Sequence, residues 1–453
     1  MKGKAIQYVC SQCGHVETKW LGRCPECGGW NTFEEEAVTT SADMTKSVVL
    51  SDGGKAVPLK DVQVEPGYRF STGISELDRV LGGGVMKGSS VLIGGEPGIG
   101  KSTLMLQMAS LCIRDRSILY VSGEESPGQV KLRGERLGLD VDRISIFCDT
   151  RVEAISEVLE ETKPQMVIID SLQTLVSAEV PSPAGSVNQI RATSTALVGM
   201  TKRLGISLFL IGHITKEGIL AGPKVIEHLV DTVLSFEQSG SGVRIIRALK
   251  NRFGSVDELG IFTMGEKGLE PVRDPSLFFI SQRAGNVTPP GIAYTAVTEG
   301  SRTFIVEIQA LTVSTKSGYS RVYSDRIDSA RVLRVSAILE RHAGLALGEQ
   351  DIYVNVGGGV KLNEVAIELP LALALWSAYR GVALPGRLVS FGELSLAGEV
   401  RPVGFSDKRI KAAVEMGFTR LMVPKGTKSG KLTNVSIVET IKEAIACSVL
   451  IIH

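Results

Sequence analysis

The sequence of 453 residues has no apolar run that approaches the roughly 18–20 residues a membrane-spanning helix needs. Residues 1–30 also lack the apolar core of a secretory signal peptide. These two absences argue against an integral membrane protein and against an exported one. We therefore expect a cytoplasmic protein without a membrane partner.

An excess of charge of one sign is missing too, because 50 Lys and Arg stand against 49 Asp and Glu, for a net charge of +1. A protein that coats nucleic acid gains its binding energy from a basic excess through counterion release, so the balance argues against that class. The charge is unevenly spread, with +2 over residues 1–33, −4 over 34–66, −2 over 67–300 and +5 over 301–453. The C-terminal third is thus the mildly basic part of the chain.

Aromatic side chains are scarce, at 5% of the residues, while the hydrophobic fraction of 43% is ordinary for a globular protein. The chain is longer than the roughly 250–300 residues at which one core stops growing, so several domains are expected. Residues 34–66 begin with three glutamates and show no sustained period, which is typical of a linker. The predicted parts are a cysteine-rich module over 1–33, this linker, an α/β domain over 67–270 and a further domain over 271–453.

Short apolar runs and amphipathic stretches alternate through the predicted α/β domain. The runs include 90–94, 166–170 and 206–212, and 102–114 is one of the amphipathic stretches. This alternation predicts a parallel sheet covered by helices. Beyond residue 271, strand-like segments mix with helical ones, which indicates an α+β domain.

Four of the seven cysteines, Cys10, Cys13, Cys24 and Cys27, follow the spacing C-x2-C-x10-C-x2-C. The odd number, the clustering and the missing export signal favour metal binding over disulfides. Two C-x-x-C pairs let four thiolates converge on one Zn²⁺ in a tetrahedron. Such a site leaves no open coordination position, so we expect the zinc to be structural. Aromatic residues near these cysteines are expected to form the core of the module or to contact DNA or protein.

A phosphate-binding loop is predicted at residues 95–103, which read GEPGIGKST and fit G-x-x-x-x-G-K-[ST]. A strand-like run precedes it and a helix-forming run follows it, as the motif requires. Lys101 is expected to reach the β- and γ-phosphates of ATP, and Ser102 to bind Mg²⁺. The residues predicted to bind the nucleotide are Gly95, Glu96, Pro97, Gly98, Ile99, Gly100, Lys101, Ser102 and Thr103.

Hydrolysis requires carboxylates as well as a loop. Asp170 ends a buried strand and is the expected partner of Mg²⁺, the alternative being a helix cap before the next residue. Glu124 and Glu125 follow another strand, and one of them should position or deprotonate the attacking water; Glu124 is preferred. His213 ends a third strand, where it would sense the γ-phosphate or pack as an ordinary core residue.

The run FSTGISELDRVLGGGVMKGSSVLIGGEPGIGKSTLMLQ (70–107) resembles the RecA-like ATPases. Together with the cysteine pattern, YVSGEES (120–126), GHITKEG (212–218) and KNRFG (250–254) resemble the RadA, or Sms, family of bacterial DNA repair proteins. The resemblance covers nearly the whole chain. It implies a hexameric, ATP-dependent ring that acts as a helicase on single-stranded and branched DNA and promotes branch migration beside a RecA recombinase.

The KNRFG segment is predicted to lie after strand 243–249 at the far edge of the sheet, where a RecA-like fold faces the next subunit. Lys250 and Arg252 would then stabilise the γ-phosphate of a neighbour, as an arginine finger does. Gly254 is expected to permit the turn and Phe253 to anchor it by packing. The alternative is a basic turn whose charges are solvated.

Two further segments, 177–191 and 215–224, occupy the positions of the loops that face the channel in RecA-like rings. The second carries Lys216 and Lys224, which are predicted to contact DNA. Because the segments hold few aromatic residues, binding there would be directed mainly at phosphates. Surface loops without a function are the alternative.

The C-terminal part resembles the proteolytic domain of Lon, most visibly over 356–375 and 391–413. This raises a rival function, an ATP-dependent protease with a Ser-Lys dyad. The dyad positions carry Ala366, Ile367 and Glu368 in place of the serine, and Asp407 followed by Lys408 in place of the lysine. Isoleucine cannot act as a nucleophile, so both members of the dyad are missing on this match, and the nearest serine, Ser377, lies deep in the predicted helix. The resemblance therefore implies a proteolytically inactive domain.

Within the RadA family this domain serves as a scaffold of the ring and as a DNA-binding surface, in agreement with its charge of +5. The basic residues that we expect to contact DNA are Arg302, Arg321, Lys408 and Arg409, and further candidates are Arg326, Arg331, Arg334 and Lys411. Their helical spacing is also typical of a solvated amphipathic helix. Two more function classes compete with the motor: a KaiC-like switch that phosphorylates itself and a non-motor DNA-binding ATPase scaffold.

Overall fold

The structure, a computed structural model of the chain, describes residues 6–10, 16–25, 28–37, 58, 68–112, 116–142, 144–213, 224–238, 242–272, 274, 276–280, 288–315, 320–427 and 434–450. The backbone divides into two compact units. The first comprises Met1–Gln238 and Arg244–Pro271, and the second comprises Ser239–Val243 and Val272–His453. No helix within the described ranges is long and apolar enough to cross a bilayer.

A small antiparallel sheet in the order β2–β1–β3 forms the cysteine-rich module. Its strands are β1 (Ile6–Cys10), β2 (Val16–Glu17) and β3 (Phe33–Ala37). The three glutamates assigned to the linker lie in β3, where the backbone pairs with β1 over the whole strand. Ladder hydrogen bonds hold such a strand whatever its side chains are, so the module extends at least to residue 37.

The first unit continues with short strands, helices and a large sheet. Its elements are β4 (Arg69–Phe70), α1 (Ser75–Val80), β5 (Val85–Met86), β6 (Ser90–Gly95), α2 (Lys101–Cys112), β7 (Ile118–Ser122), α3 (Pro127–Arg136), β8 (Ile144–Phe147), α4 (Val152–Thr162), β9 (Met166–Asp170), a 3-10 turn (Leu172–Thr174), α5 (Val187–Leu204), β10 (Ser207–His213), α6 (Lys224–Leu229), β11 (Thr232–Gln238), β12 (Arg244–Asn251), β13 (Leu259–Gly265) and β14 (Gly268–Pro271).

The strands of the large sheet follow the order β14–β13–β12–β11–β6–β10–β9–β7–β8. From β11 to β8 all neighbours are parallel, whereas β12, β13 and β14 are added in antiparallel pairs. The prediction of a parallel sheet is therefore correct for the nucleotide-binding part and wrong for the last three strands. Those strands are joined by short turns, which only antiparallel pairing allows.

Burial explains why the central strands are continuous apolar runs. Every residue of β6, β7 and β9 is buried, as expected for parallel strands covered on both faces. Along β6, Val91 and Ile93 belong to one core and Leu92 to the core on the opposite face. Around the sheet, α3 begins with a capping box between Ser126 and Gln129.

The second unit is a mixed α+β domain. Its elements are α7 (Ser276–Phe279), β15 (Ile292–Glu299), β16 (Arg302–Ser314), β17 (Val322–Ser324), α8 (Ser329–Ala343), β18 (Gln350–Val356), α9 (Glu368–Arg380), β19 (Leu388–Ser390), β20 (Glu393–Leu394), β21 (Val400–Arg401), α10 (Ser406–Glu415), β22 (Arg420–Pro424), β23 (Val435–Val438) and α11 (Ile441–Leu450). The main sheet has the order β17–β18–β16–β15–β19–β22–β23.

Candidate active site

The predicted phosphate-binding loop connects β6 to α2, in the strand-loop-helix context that the motif requires. Gly98 and Gly100 have φ of +77° and +116°, which glycine adopts without strain. A Cβ at Gly95 would lie 2.7 Å from the carbonyl oxygen of Phe236 on β11, so close packing requires this glycine. A loop of this form before the positive end of a helix suits a phosphate.

Lys101 is the first residue of α2, and only 4% of it is exposed. Its ammonium donates hydrogen bonds to the carbonyl oxygens of Gly95 at 2.8 Å and Glu96 at 2.9 Å. Burial lowers the pKa of Lys101 to about 8, and the negative charges of Asp170 and Glu124 oppose this shift. The ammonium thus lies inside the loop, within electrostatic range of both predicted catalytic carboxylates.

Asp170 lies at the end of β9, which is separated from β6 by β10. The hydroxyl of Tyr120 on β7 donates a hydrogen bond of 2.5 Å to its Oδ2. Burial and then the charge of Asp170 raise the pKa of Tyr120 well above its ordinary value, so the phenol stays protonated and remains a donor. Ser171, rather than Asp170, precedes the following 3-10 turn. The alternative of Asp170 as a helix cap is therefore not supported.

The groups predicted for magnesium have suitable chemistry. Ser102 is half-buried in the first turn of α2, next to the lysine on which the charge of Asp170 acts. A hydroxyl and a carboxylate supply the hard oxygen ligands that Mg²⁺ prefers, with waters and phosphate oxygens completing the shell. The described residues around this loop thus fit Mg²⁺ bound together with ATP.

The two glutamates after β7 have different partners. Glu125 forms an ion pair with Arg133 of α3. Glu124 instead accepts a hydrogen bond of 2.5 Å from the hydroxyl of Ser171, the residue after Asp170. Glu124 is bound next to Asp170 at the end of β9, whereas Glu125 is paired with a helix. The arrangement therefore favours Glu124 as the residue that positions the attacking water.

His213 ends β10, and its backbone pairs with Gly95 in the parallel ladder between β10 and β6. Strand β10 therefore lies between β6, which leads to the phosphate loop, and β9, which ends in Asp170. The side chain of His213 lies outside what the structure describes, so its role as a phosphate sensor stays a prediction.

Strand β12 begins at the phosphate loop and ends at the opposite end of the sheet. At its start, Nε of Arg244 donates a 2.7 Å hydrogen bond to the carbonyl oxygen of Ile99 in the loop. At its end, Asn251 pairs with Thr232, where β11 begins. Since β11 is parallel to β6, the end of β12 lies near the start of β6. The six residues of β6 span five steps of ~3.3 Å, which put about 17 Å between the two ends.

Lys250 and Arg252 therefore lie far from the phosphate loop of their own chain. β13 and β14 lie outside β12 in the sheet, so the prediction that KNRFG follows the outermost strand is wrong. The KNRFG segment instead lies at the end of β12, which is an interior strand of the sheet.

The two cations of KNRFG are held by different partners. The ammonium of Lys250 donates to the carbonyl oxygens of Glu227 at 2.5 Å and Val230 at 2.8 Å, at the end of α6. Nη1 of Arg252 lies 3.4 Å from the carboxylate of Asp231, and 55% of the arginine side chain is exposed. Burial and then the positive charge of Arg252 lower the pKa of Lys250. The alternative of two fully solvated charges is not what the structure shows.

The turn after β12 is fixed by close packing. A Cβ on Gly254 would lie 2.8 Å from the Cα of Gly82, so glycine is needed there for close approach and not for a left-handed conformation. The carbonyl of Phe253 accepts a 2.8 Å hydrogen bond from Arg69, while Phe253 itself is only half-buried. The side-chain oxygen of Asn251 accepts a 2.9 Å hydrogen bond from the backbone amide of Phe253. Backbone hydrogen bonds, more than the phenylalanine ring, hold the turn.

The described part of the cysteine module fits a zinc ion. Cys10 and Cys24, one from each C-x-x-C pair, are 0% and 1% exposed and share one small core with Phe33. Gly28 has a φ of +74°, so the chain turns back directly after the second pair. Cys13 and Cys27 lie outside the described residues. Thiols that converge in this way are ligands that Zn²⁺ prefers, and the ion would stabilise a module with little core.

The tryptophans of this module are not part of its core. Trp20 and Trp30 are 52% and 71% exposed, so the expectation that they form a miniature core is wrong. The guanidinium of Arg23 lies 5.8 Å from the ring centroid of Trp30. Phe33 and Tyr8 pack with the buried cysteines instead.

The first segment predicted to contact DNA is more ordered than a free loop. Residues 187–191 belong to α5. Nε2 of Gln189 donates to the carbonyl oxygens of Ser177, Val180 and Ser182 at 3.1, 2.7 and 3.0 Å. One buried glutamine thus fixes the path of the preceding residues. In the second segment, Lys216 lies outside the described residues and Lys224 begins α6 without a described side chain, so their DNA contacts stay predictions.

The basic residues predicted to contact DNA in the second unit differ in their exposure. Arg321 and Lys408 are exposed, and Arg302 is half-buried at the start of β16. Arg409 is only 2% exposed and pairs with Glu364 at 2.5 Å. The prediction that Arg409 contacts DNA is therefore wrong for this structure, because its guanidinium is committed to an internal ion pair. Helical spacing alone could not distinguish the inward face of α10 from its outward face.

At the positions that match the Lon dyad serine, buried side chains and ion pairs between Glu368 and two arginines are found. Ala366 and Ile367 are buried, and the carboxylate of Glu368, 1% exposed, is bound by Arg334 and lies 3.6 Å from Nε of Arg331. Ser377 is 0% exposed; its hydroxyl donates to the carbonyl of Val382 at 2.5 Å and accepts the amide of Gly291 at 2.8 Å. These placements give no nucleophile among the residues at the dyad positions. Arg331 and Arg334 are thus engaged with a buried carboxylate of their own domain.

Sequence reasoning missed three residues of the site region. Tyr120 supports Asp170, Arg244 contacts the phosphate loop, and Asp231 binds Arg252. A signal existed for Tyr120, since a tyrosine inside a buried strand needs a partner for its hydroxyl. Asp231 stands directly before a buried strand, which also marks a carboxylate with an internal partner.

The loop, the carboxylates and the cysteine module define a P-loop ATPase that carries a zinc module and a Lon-like α+β domain. Family models agree: an AAA domain matches residues 56–218, a rubredoxin metal binding domain matches 8–35, and subunit ChlI of Mg-chelatase matches 325–427. The expected α/β fold class with its three parts is thereby confirmed.

Curated relatives cover nearly the whole chain. The DNA repair protein RadA of Treponema pallidum is 50% identical over 422 residues, which are 93% of this chain and 92% of the relative. RadA of Bacillus subtilis is 43% identical over 430 residues, 94% of this chain and 93% of the relative. RadA of Halalkalibacterium halodurans is 42% identical over 434 residues, 95% and 94% respectively. The chain belongs to the RadA family of DNA repair proteins and contains an AAA ATPase domain.

Proposed function

We propose that this protein is a DNA-dependent ATPase whose hexameric ring moves along single-stranded DNA as a helicase and promotes branch migration of recombination intermediates. Its partners in this role are single-stranded and branched DNA, further copies of the chain and a RecA recombinase. The division into residues 1–33, 34–66, 67–270 and 271–453 belongs to the proposal, with the module extended through β3. The family membership and the AAA domain support an ATPase in DNA repair.

The observation that carries the proposal is the separation of the KNRFG cations from the phosphate loop of the same chain. Arg252 follows the end of β12 and lies about 17 Å along the sheet from that loop. The ammonium of Lys250 is bound to carbonyl oxygens at the end of α6, at the same far end of the sheet. Cations that serve hydrolysis from this position must act on ATP held by another copy. Repeating that contact head to tail generates a ring or a filament.

Within one such site, each residue has a distinct task. Lys101 binds the β- and γ-phosphates, and Asp170 and Ser102 hold the Mg²⁺ that neutralises developing charge. Glu124 positions the attacking water, with its carboxylate fixed by the hydroxyl of Ser171. Lys250 and Arg252 of the neighbour stabilise the charge on the transferred phosphate. A structural Zn²⁺ holds the N-terminal module.

The proposal is tested by measuring ATP hydrolysis with and without single-stranded DNA, together with strand displacement on a forked substrate. We expect single-stranded DNA to raise the turnover severalfold and the fork to be unwound only in the presence of ATP. Linear duplex DNA serves as the control. Unchanged turnover with single-stranded DNA would contradict the proposal, and stimulation without unwinding would favour the non-motor scaffold.

One exposed sheet face of the second unit suits unpaired bases. Tyr323 and Tyr353 stack with ring centroids 4.8 Å apart and an interplanar angle of 9°, and they are 46% and 40% exposed. Leu311 continues the row, since it pairs with Tyr353 across β16 and β18. Exposed Arg321 precedes Tyr323 on the same side of the domain. We assign the DNA contact of Arg321 to this aromatic face.

Replacing Tyr353 with alanine should weaken single-stranded DNA binding about 5- to 150-fold, because stacking contributes ~1–3 kcal/mol per base. Fluorescence anisotropy of a labelled oligonucleotide at fixed salt measures the dissociation constant. Tyr68→Ala is the matched control, since Tyr68 is also 46% exposed but lies in the first unit. Equal affinity of the Tyr353 variant and the wild type would exclude this face as a DNA site.

A further inference from the structure

A buried carboxylate anchors the cationic turn to the core of the sheet. Asp231 directly precedes β11 and is 5% exposed. Its Oδ2 accepts the backbone amide of Ser90 at 3.0 Å and the hydroxyl of Ser90 at 2.8 Å, at the first residue of β6. Its Oδ1 faces Nζ of Lys202 at 3.3 Å and Nη1 of Arg252 at 3.4 Å. Both oxygens are therefore engaged.

The backbone strengthens the same connection. The amide of Arg252 donates to the carbonyl oxygen of Asp231 at 3.1 Å, and the amide of Asp231 donates to the carbonyl of Ser90 at 3.0 Å. Arg252 is thus tied to Asp231 by its main chain and its guanidinium. Ser90 begins the fully buried strand that leads to the phosphate loop. The turn that carries Arg252 is therefore attached to a fully buried central strand of the sheet.

The electrostatics keep Asp231 ionised. Burial raises the pKa of this carboxyl. The hydrogen bonds from Ser90 and the charge of the nearby Lys202 lower it by more than burial raises it, so the pKa lies below the ordinary value. At neutral pH the group is a carboxylate that faces two cations. One cation, Lys202, lies on α5, and the other, Arg252, extends from the turn.

We propose that Asp231 is the positioning residue for Arg252: its carboxylate holds the guanidinium through Nη1, while the other nitrogens of the guanidinium bind the γ-phosphate held by a neighbouring copy. This inference rests on the proposed function. A guanidinium presents five donors in a planar fork, so a contact through Nη1 leaves donors for a phosphate. Fixing the side chain before the nucleotide arrives reduces the entropy that must be lost in the transition state.

Asp231→Asn is the informative substitution. Asparagine keeps the shape and an oxygen that can accept both hydrogen bonds from Ser90, but it removes the charge that holds Lys202 and Arg252. Asp231 does not touch the nucleotide of its own chain, because Ser90 lies at the opposite end of β6 from Gly95. The expected defect is therefore in turnover and not in nucleotide binding.

The test measures kcat and KM for DNA-stimulated ATP hydrolysis by the full-length protein in four forms: wild type, Asp231→Asn, Arg252→Ala and the double variant. We expect Asp231→Asn to lower kcat about 10- to 100-fold, as misplacement of a catalytic group does, with KM within about twofold. The double variant should have the kcat of Arg252→Ala alone, because Asp231 acts through that arginine. Asp257→Asn, an exposed aspartate in the loop after the turn, should behave as the wild type.

Thermal unfolding of each variant separates positioning from folding. Asp231→Glu provides a second variant that keeps the charge, and it should recover part of the kcat that Asp231→Asn loses. It also tests the inference should the asparagine variant fail to fold, since the longer side chain should still lower kcat without raising KM.

The outcomes distinguish this inference from the proposed function. If Arg252→Ala hydrolyses ATP as the wild type does, both the trans-acting arginine and the role of Asp231 are overturned. If Arg252→Ala is impaired while Asp231→Asn and Asp231→Glu turn over normally, only the positioning role fails. A loss in the double variant that equals the product of the two single losses would also overturn it, because Asp231 would then act independently of Arg252.

Discussion

Lys101→Ala should lower ATP turnover at least about 100- to 1,000-fold, because a buried, preorganised cation that stabilises transition-state charge contributes on this scale. The ammonium lies in the loop, bound to the carbonyl oxygens of Gly95 and Glu96, and is 4% exposed. ATP phosphates would offer it stronger acceptors than these carbonyls. Alanine would leave the loop without its central positive charge, so ATP affinity should fall together with turnover.

Steady-state hydrolysis and binding of a fluorescent nucleotide measure these two losses. Lys131→Ala is the control, since Lys131 is an exposed lysine of α3 whose side chain is 68% accessible. The wild type should also bind ATP more weakly as the pH rises through about 8, where Lys101 loses its proton. The alanine variant should lack this fall in affinity. A pH profile shared by both proteins would contradict the assignment of Lys101.

Lys250→Ala and Arg252→Ala should each abolish most DNA-stimulated turnover, with a loss on the order of 10³–10⁵ for an arginine finger acting in trans. Nucleotide binding should stay within about twofold of the wild type, because both cations are bound at the opposite end of the sheet from the loop of their own chain. Lys250→Ala should in addition loosen the end of α6, whose carbonyls the ammonium binds. Single-turnover hydrolysis with saturating single-stranded DNA measures the catalytic loss.

Arg203→Ala is the matched control for Arg252→Ala. Arg203 is 57% exposed and forms an ion pair with Glu160 at 2.6 Å, so the substitution removes a similar charge from a similar setting. It should hydrolyse ATP as the wild type does. Wild-type turnover in both KNRFG variants would contradict a catalytic role for the segment, and lost nucleotide binding would place its cations at the loop of their own chain.

Local motifs account for the part of the site that the sequence predicts well. The phosphate loop needs glycines at fixed spacing, a buried strand before it and a helix after it, and all of these are local properties. The positions of Asp170 and Glu124 follow from the rule that parallel strands end at the same edge of a sheet. These residues therefore meet near Lys101 as the sequence predicts, and their charges act on its pKa.

Contacts between distant segments account for what the sequence did not predict. Asp231 and Ser90 are 141 residues apart, and no local pattern joins them. Arg409 shares a helical spacing with surface cations, yet its guanidinium faces Glu364 from another element. A buried ion pair leaves no periodic signal, because the paired residues are individually polar and look solvated. The direction of β12 was likewise hidden, since antiparallel addition depends on the turns between the last strands.

Strand β12 has one further consequence in the proposed ring. Its first residue, Arg244, contacts the phosphate loop of its own chain. In the proposed ring, Arg252, directly after its last residue, would face the nucleotide of another chain. A strand bonded on both sides within a close-packed core does not stretch, so displacement at one end is transmitted to the other. Nucleotide binding at the phosphate loop of one chain would then affect the nucleotide site of the neighbouring chain. In the proposed ring, such a link would favour hydrolysis in sequence around the ring over hydrolysis in random order.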